Sequence, residues 1–319
     1  MFEQAGENRS GPTEGGIGAV TKASGNSDSP FLRPPHPSLT LPAQRDMHVF
    51  EWTRSSAWGP IVVDLMSDIV TDQVVTSLRK RPPKYFVSDE SSWLDEATLK
   101  AGSFQEPDCF SVLAQRLPSV FKAVVAYHAC RPGAPHIVAA EGLRVLDPRR
   151  LQEDALALFD APEESILASI EELDVATREG VVHLALDDVF LIQRCGHYLI
   201  YGSETMQGIA ANLQRRTGRD AFGALRSRGI PTIFVCELPL QLLDPGDVLA
   251  LAATSLTKAL ESTIAGHPPP SSIDFTLTLK KAVPPHYIVR HYHPDVIPNP
   301  HEGYRPCRIA SASCSLCSA

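Results

Sequence analysis

Phe121-Lys122-Ala123-Val124-Val125-Ala126-Tyr127-His128 is the stretch on which the fold turns. It is short, valine-rich and apolar at almost every position, which reads as a buried strand. The strand delivers a histidine at the end of its apolar run. Arg131-Pro132-Gly133-Ala134-Pro135 then makes a turn, and His136 to Glu141 a short helix. Gly142-Leu143 supplies a left-handed stop that sends the chain onto Arg144-Val145-Leu146.

Working outward, Val181 to Leu186, Thr232 to Leu238, Ile273 to Leu279 and Tyr287 to Val289 have strand character. Val189 to Ile192 and His197 to Tyr201, separated by Gln193-Arg194-Cys195-Gly196, have the spacing of a hairpin. Helices are expected over Ser67 to Leu78, about Pro107 to Leu113, Leu151 to Phe159, Pro162 to Leu173, and after Gly202-Ser203-Glu204. Asp247 to Ile264 reads as a long amphipathic helix stopped by Gly266 and the prolines after it. Hairpins mixed with crossovers fit an α+β class with a curved, mixed or antiparallel sheet better than a uniform doubly wound one.

Residues 1–46 hold six Gly, six Pro and five Ser with few large apolar groups, too little to offset chain entropy on folding. They are expected to form a disordered tail ahead of a single domain over 47–306, with 307–319 as a flexible C-terminal tail. The chain of 319 residues carries a net charge of −8, so no global attraction to nucleic acid or to an anionic membrane is implied. Its N-terminus has neither the basic start nor the apolar run of a signal peptide, and no long apolar window suggests a span. A cytoplasmic protein with no membrane partner is expected, with a non-Sec route of export left open. Seven scattered cysteines, an odd number, read mostly as reduced thiols.

Three pieces share one resemblance. Ala126-Tyr127-His128-Ala129-Cys130-Arg131, followed by Ile137 to Arg144 with its Gly142-Leu143, resembles the first motif of the ADP-ribosyltransferase superfamily. Tyr198-Leu199-Ile200-Tyr201-Gly202-Ser203-Glu204 is similar to the middle motif of that family. Phe275 to Leu279 with Val283-Pro284-Pro285-His286-Tyr287-Ile288 is similar to its last core strand and turn. The resemblance covers about 121–290. It implies a transferase-like core, NAD as substrate, and a protein or nucleic-acid acceptor, or plain NAD hydrolysis.

Under that resemblance His128 holds a ribose hydroxyl, Tyr198 or Tyr201 stacks on the nicotinamide, and Ser203 holds its amide, with Arg131 in the same cofactor-binding set. A carboxylate must stabilise the oxocarbenium-like transition state. Here the sequence departs from the family, whose last strand begins with the catalytic glutamate. Asp274, Glu204 and Glu237 are the substitutes on offer, and an inactive binding or regulatory module on the same scaffold is the alternative. In the enzyme reading His128, a tyrosine and one of these acids converge on one cleft.

Other chemistries have less behind them. No glycine-rich dinucleotide or phosphate loop follows any strand. His128 and Cys130 could pair as imidazole and thiolate only at the strand's end. The basic run Arg79 to Lys84 reads as a solvated helix end, while Arg215, Arg216 and Arg219 offer a local patch for a nucleic-acid acceptor. His291, His293, His301, Cys307, Cys314 and Cys317 are metal-capable, but no second CxxC accompanies the terminal pair. No metal is expected.

Overall fold

The computed structural model describes residues 49–103, 108–173, 175, 179–266, 272–308, 314 and 317. All of them belong to one compact unit, Leu41–Ala319. The expected tail over 1–46 lies outside the described residues.

The strand around Tyr127 runs over Ala123–Cys130 and is the centre of a six-stranded sheet. In chain order the strands are β1 (Val49–Phe50), β2 (Ala123–Cys130), β3 (Val182–Ala185), β4 (Thr232–Pro239), β5 (Thr276–Leu279) and β6 (Ile288–Tyr292). Their spatial order is β5-β3-β2-β4-β6, every pair antiparallel, with β1 adding parallel to the start of β2. A separate hairpin joins β7 (Val296–Asn299) to β8 (Arg305–Arg308). The expected α+β class with antiparallel pairing therefore holds. The domain boundary at 306 does not: it falls inside β8, and Cys314 beyond it is buried.

Helices cover both faces. Before β2 come α1 (Ser55–Asp64), α2 (Asp72–Lys80), α3 (Ser92–Ala101) and α4 (Cys109–Val120). Between β2 and β4 come α5 (Pro135–Glu141), α6 (Pro148–Leu158), α7 (Glu163–Glu171), α8 (Asp188–Gln193), α9 (His197–Tyr201), α10 (Glu204–Thr217) and α11 (Ala221–Ser227). The long helix α12 (Pro245–Ala265) follows β4.

Strand alternation divides the interior into two cores. Val124, Ala126, Phe234, Cys236, Leu184 and Leu277 pack on a first face with α1 to α4 and α12. Val125, Tyr127, Ala185, Ile233 and Val235 pack on the second with α6 to α11. A strand buried on both sides needs an unbroken apolar run, and β2 has one.

Helix α12 is long and apolar enough to pass for a membrane span by length and composition, a feature the reading of apolar windows missed. Its Leu251, Ala252, Leu256 and Leu260 are buried in the first core. Asp244 caps it, Pro245 opens its first turn, and Gly266 ends it in the left-handed conformation.

One expectation is overturned. Val189–Ile192 and His197–Tyr201 are the helices α8 and α9, not strands of a hairpin. Apolar runs of four or five residues have no decisive period, so capping settles the matter. The Asp187 carboxylate accepts from the Val189 N–H at 2.9 Å and fixes the start of α8. Gly196, ahead of α9, lies so close to the hairpin that a Cβ would sit 2.4 Å from the Pro298 carbonyl oxygen.

Gly142 closes α5 with φ 93° and lets Leu143 bridge to Val283, through hydrogen bonds of 2.9 and 2.8 Å. A Cβ there would stand 2.1 Å from the Val283 carbonyl oxygen. Gly142→Ala is therefore expected to destabilise the fold by about 3 kcal/mol, from backbone strain and displacement together. Chemical denaturation of the variant against the parent measures it.

Candidate functional site

The sheet separates the residues expected to meet. His128 follows Ala126 on the first face, directly opposite Phe234 of the first core. Tyr201 belongs to the second core and is buried there. The two rings thus lie on opposite sides of the sheet, and the pairing of His128 with Tyr201 is not assembled. The reason is one residue of register: Tyr127 takes the second-face position and passes the first face to its neighbour.

Each member has a local role. The His128 Nδ1 lies 2.9 Å from the His183 carbonyl oxygen, and burial holds its pKa below the ordinary histidine value, partly offset by that hydrogen bond. Tyr201 accepts from the Asn299 side-chain amide at 2.8 Å, and its ring packs against Phe222 and His301. The Arg131 guanidinium donates to three carbonyls, of Arg228 at 2.7 Å, Arg226 at 2.6 Å and Leu199 at 3.0 Å. Those bonds tie the end of α11 to α9 and are the use the fold makes of that cation. Ser203 caps α10 by accepting from the Met206 N–H at 3.3 Å.

The three candidate acids differ. Glu237 is half-buried on β4, opposite Val125, and so faces the second core side two residues along from Tyr127. Asp274 is exposed ahead of β5. Glu204, in the first turn of α10, accepts from the Tyr198 hydroxyl at 2.7 Å and lies 3.8 Å from the His197 Nε2. Burial raises the Cys195 thiol, and the charges of Asp274 and Glu204 raise it further.

Tyr198 and Glu204 therefore do come together, at the start of α10. Residues not anticipated complete that group: His197, His301 with its Nε2 3.0 Å from the Gln207 amide oxygen, and Asn299. Burial lowers the His197 pKa against the opposing pull of Glu204. His301 and Asn299 come from the β7–β8 hairpin, which has no counterpart in the three resembling segments.

The arginine patch is also accounted for. Arg215 and Arg216 both pair with Glu172, and Arg219 donates to the Asp160 carbonyl oxygen at 2.6 Å. At the hairpin tip, Tyr304 stands at φ 61° with 46% of its surface exposed, and the Arg194 guanidinium lies 5.8 Å from its ring centre.

On the first face a second group forms at the end of β6. His291 lies beside Phe234, and His293 follows two residues on. The ligand-capable atoms of His291, His293, Cys314 and Cys317 all lie within 4.8 Å of one another. Tyr292, between the histidines, points the other way and donates to the Asp188 carboxylate at 2.6 Å, which with burial lifts its phenol far above the ordinary tyrosine range.

The lowered His128 pKa has a sign. Folding favours the neutral ring, so its contribution is present above the unfolded value of about 6.5 and is lost as pH falls through the folded value. His197 acts in the same direction. His128→Gln should flatten, without abolishing, the loss of stability between about pH 7 and pH 5. Denaturation midpoints across that interval test it; an unchanged slope refutes the assignment.

No family model matches this chain, and no curated protein or solved structure matches it either, so its chemistry is argued from its own geometry.

Proposed function

We propose that this protein is a non-catalytic binding module and that the edge formed by α8, α9 and the β7–β8 hairpin is its contact surface. The observation that carries the reading is the sheet between His128 and Tyr201, which denies a single ribose–nicotinamide unit both rings. Ring-stacking on Tyr201 and cofactor binding by Arg131 are further opposed by their internal bonds.

Tyr304 supports the contact surface. A non-glycine residue in the left-handed region costs about 1 kcal/mol, and a half-exposed ring recovers little of that inside the fold. Arg194 stacked on Tyr304, and Arg226 at 5.8 Å from the Tyr201 ring centre, are residue types that dominate protein–protein contact energies. A protein partner fits this chemistry.

One observation favours a second reading, NAD cleavage with ADP-ribosyl transfer to a protein or nucleic-acid acceptor or to water, on a divergent transferase-like fold. Glu204, held by Tyr198 and 3.8 Å from the His197 Nε2, could stabilise an oxocarbenium-like species. His197 would then take the place expected for His128.

Incubation with labelled NAD separates the two. The module reading expects no nicotinamide release and no binding at millimolar NAD. Release that disappears in Glu204→Gln and survives in His128→Ala would overturn it in favour of the enzyme. A stability measurement tests the surface: Tyr304→Gly relieves the strained backbone and should stabilise the fold by roughly 0.5–1 kcal/mol. A loss of that size would show that the ring serves internal packing instead.

A further inference from the structure

We propose that His291, His293, Cys314 and Cys317 bind one zinc(II) ion, which clips the C-terminal segment to the end of β6. The sequence expectation of no metal rested on the missing second CxxC; the second pair is instead a His-x-His that spans the end of β6. His291 lies on β6 and faces the first core beside Phe234, Tyr292 points to the second face, and His293, just past the end of the strand, lies within 4.8 Å of the same ligand set.

The distances suit an ion. Zinc–sulfur bonds of about 2.3 Å and zinc–nitrogen bonds of about 2.0 Å give tetrahedral edges of roughly 3.3–3.8 Å. The Sγ atoms of Cys314 and Cys317 lie 3.4 and 3.3 Å from the His291 Nε2, and no pair in the set exceeds 4.8 Å. Ordinary hydrogen bonding accounts for this poorly. One imidazole nitrogen has a single in-plane lone pair, yet two sulfurs approach the same atom.

His293 supplies an independent observation. Its Nδ1 lies 2.8 Å from the Pro231 carbonyl oxygen, an acceptor that requires the proton on that nitrogen. Its Nε2, left with the lone pair, is buried and has no hydrogen-bond partner. A buried acceptor left unsatisfied is costly, whereas a histidine whose far nitrogen donates to a carbonyl is the usual arrangement of a metal ligand. Two thiolates with two imidazoles select zinc among common divalent ions, and four protein ligands leave no open position for a reacting water. Binding releases the two thiol protons to solvent and leaves a neutral centre. The proposal is independent of the contact surface described above.

The test uses the full chain, grown with zinc and purified under reducing conditions without chelator. Elemental mass spectrometry should find about one zinc per chain, and cobalt(II) exchange should give tetrahedral d–d bands with a thiolate charge-transfer band. Cys314→Ser and His293→Ala should each weaken zinc retention at least about tenfold, while Cys307→Ser and His301→Ala retain it. Cys317 is exposed, so Cys317→Ser keeps the fold, checked by circular dichroism, and should weaken the charge-transfer band. Full zinc content in the Cys314→Ser/Cys317→Ser double variant, a chain that takes up no zinc or cobalt, or a Cys314–Cys317 disulfide in the reduced preparation would each overturn the assignment.

Discussion

Every part of the structure depends on the double burial of β2. A strand covered on both faces assigns each successive residue to one of two cores with no passage between them. Val124 and Ala126 belong to the first and Val125 and Tyr127 to the second, and this alternation continues into β4. Any chemistry requiring neighbouring β2 residues to act together is excluded by that partition. Functional groups must gather off the sheet or at strand ends, where the two faces stop being separate. The Glu204–Tyr198 group forms off the sheet, between α9 and α10, and the His291–Cys317 group forms at the end of β6.

The strands and long helices were legible because their signals are redundant. β2 combines valine content, length and a turn at its end, and α12 combines a cap, an opening proline, an apolar stripe and a terminal glycine. The segment 189–201 carries no such redundancy. Its short apolar runs read equally as strand or helix, and the deciding contacts, Asp187 to the Val189 N–H and Gly196 against Pro298, include one made across more than a hundred residues. The site shared this fate. Tyr198, Ser203 and Glu204 were anticipated as neighbours because they are close in sequence. His301 and Asn299 reach Gln207 and Tyr201 only through the β7–β8 hairpin, which local pattern did not disclose.

His128 shows the limit of motif reasoning. A histidine ending an apolar strand satisfies the first position of a catalytic pattern, but the pattern is silent about which face receives the ring. The neighbouring strand answers that, since Phe234 opposite His128 belongs to the first core. The thiol–imidazole group was hidden differently. Its two halves, His291 with His293 and Cys314 with Cys317, are 21 residues apart at the nearest, and the His-x-His spacing becomes a ligand pair only when it is known to fall at the end of β6. Periodicity assigned Tyr287 to Val289 to a strand and stopped before the histidines, whereas β6 extends to Tyr292.

The position of β6 explains why side-chain anchors collect there. Among the described residues it is an edge strand that pairs with β4, and the register shifts between Val235 and Cys236, so its ladder is short and irregular. Such an edge is weakly held by backbone bonds and open to pairing with another chain. Tyr292 ties it to α8 through the Asp188 carboxylate on one face, and His293 ties its end to the start of β4 through the Pro231 carbonyl on the other. A metal joining His291 and His293 to the terminal cysteines would add a third restraint, one that does not draw on apolar area already committed to the two cores. The opposite edge, β5, is secured by comparable means: the Asp247 carboxylate of α12 accepts from the Thr278 N–H at 3.1 Å. Both edges of the sheet are thus held by side-chain hydrogen bonds outside the ladder, and at the end of β6 one restraining residue, His293, also has the capacity to ligate an ion.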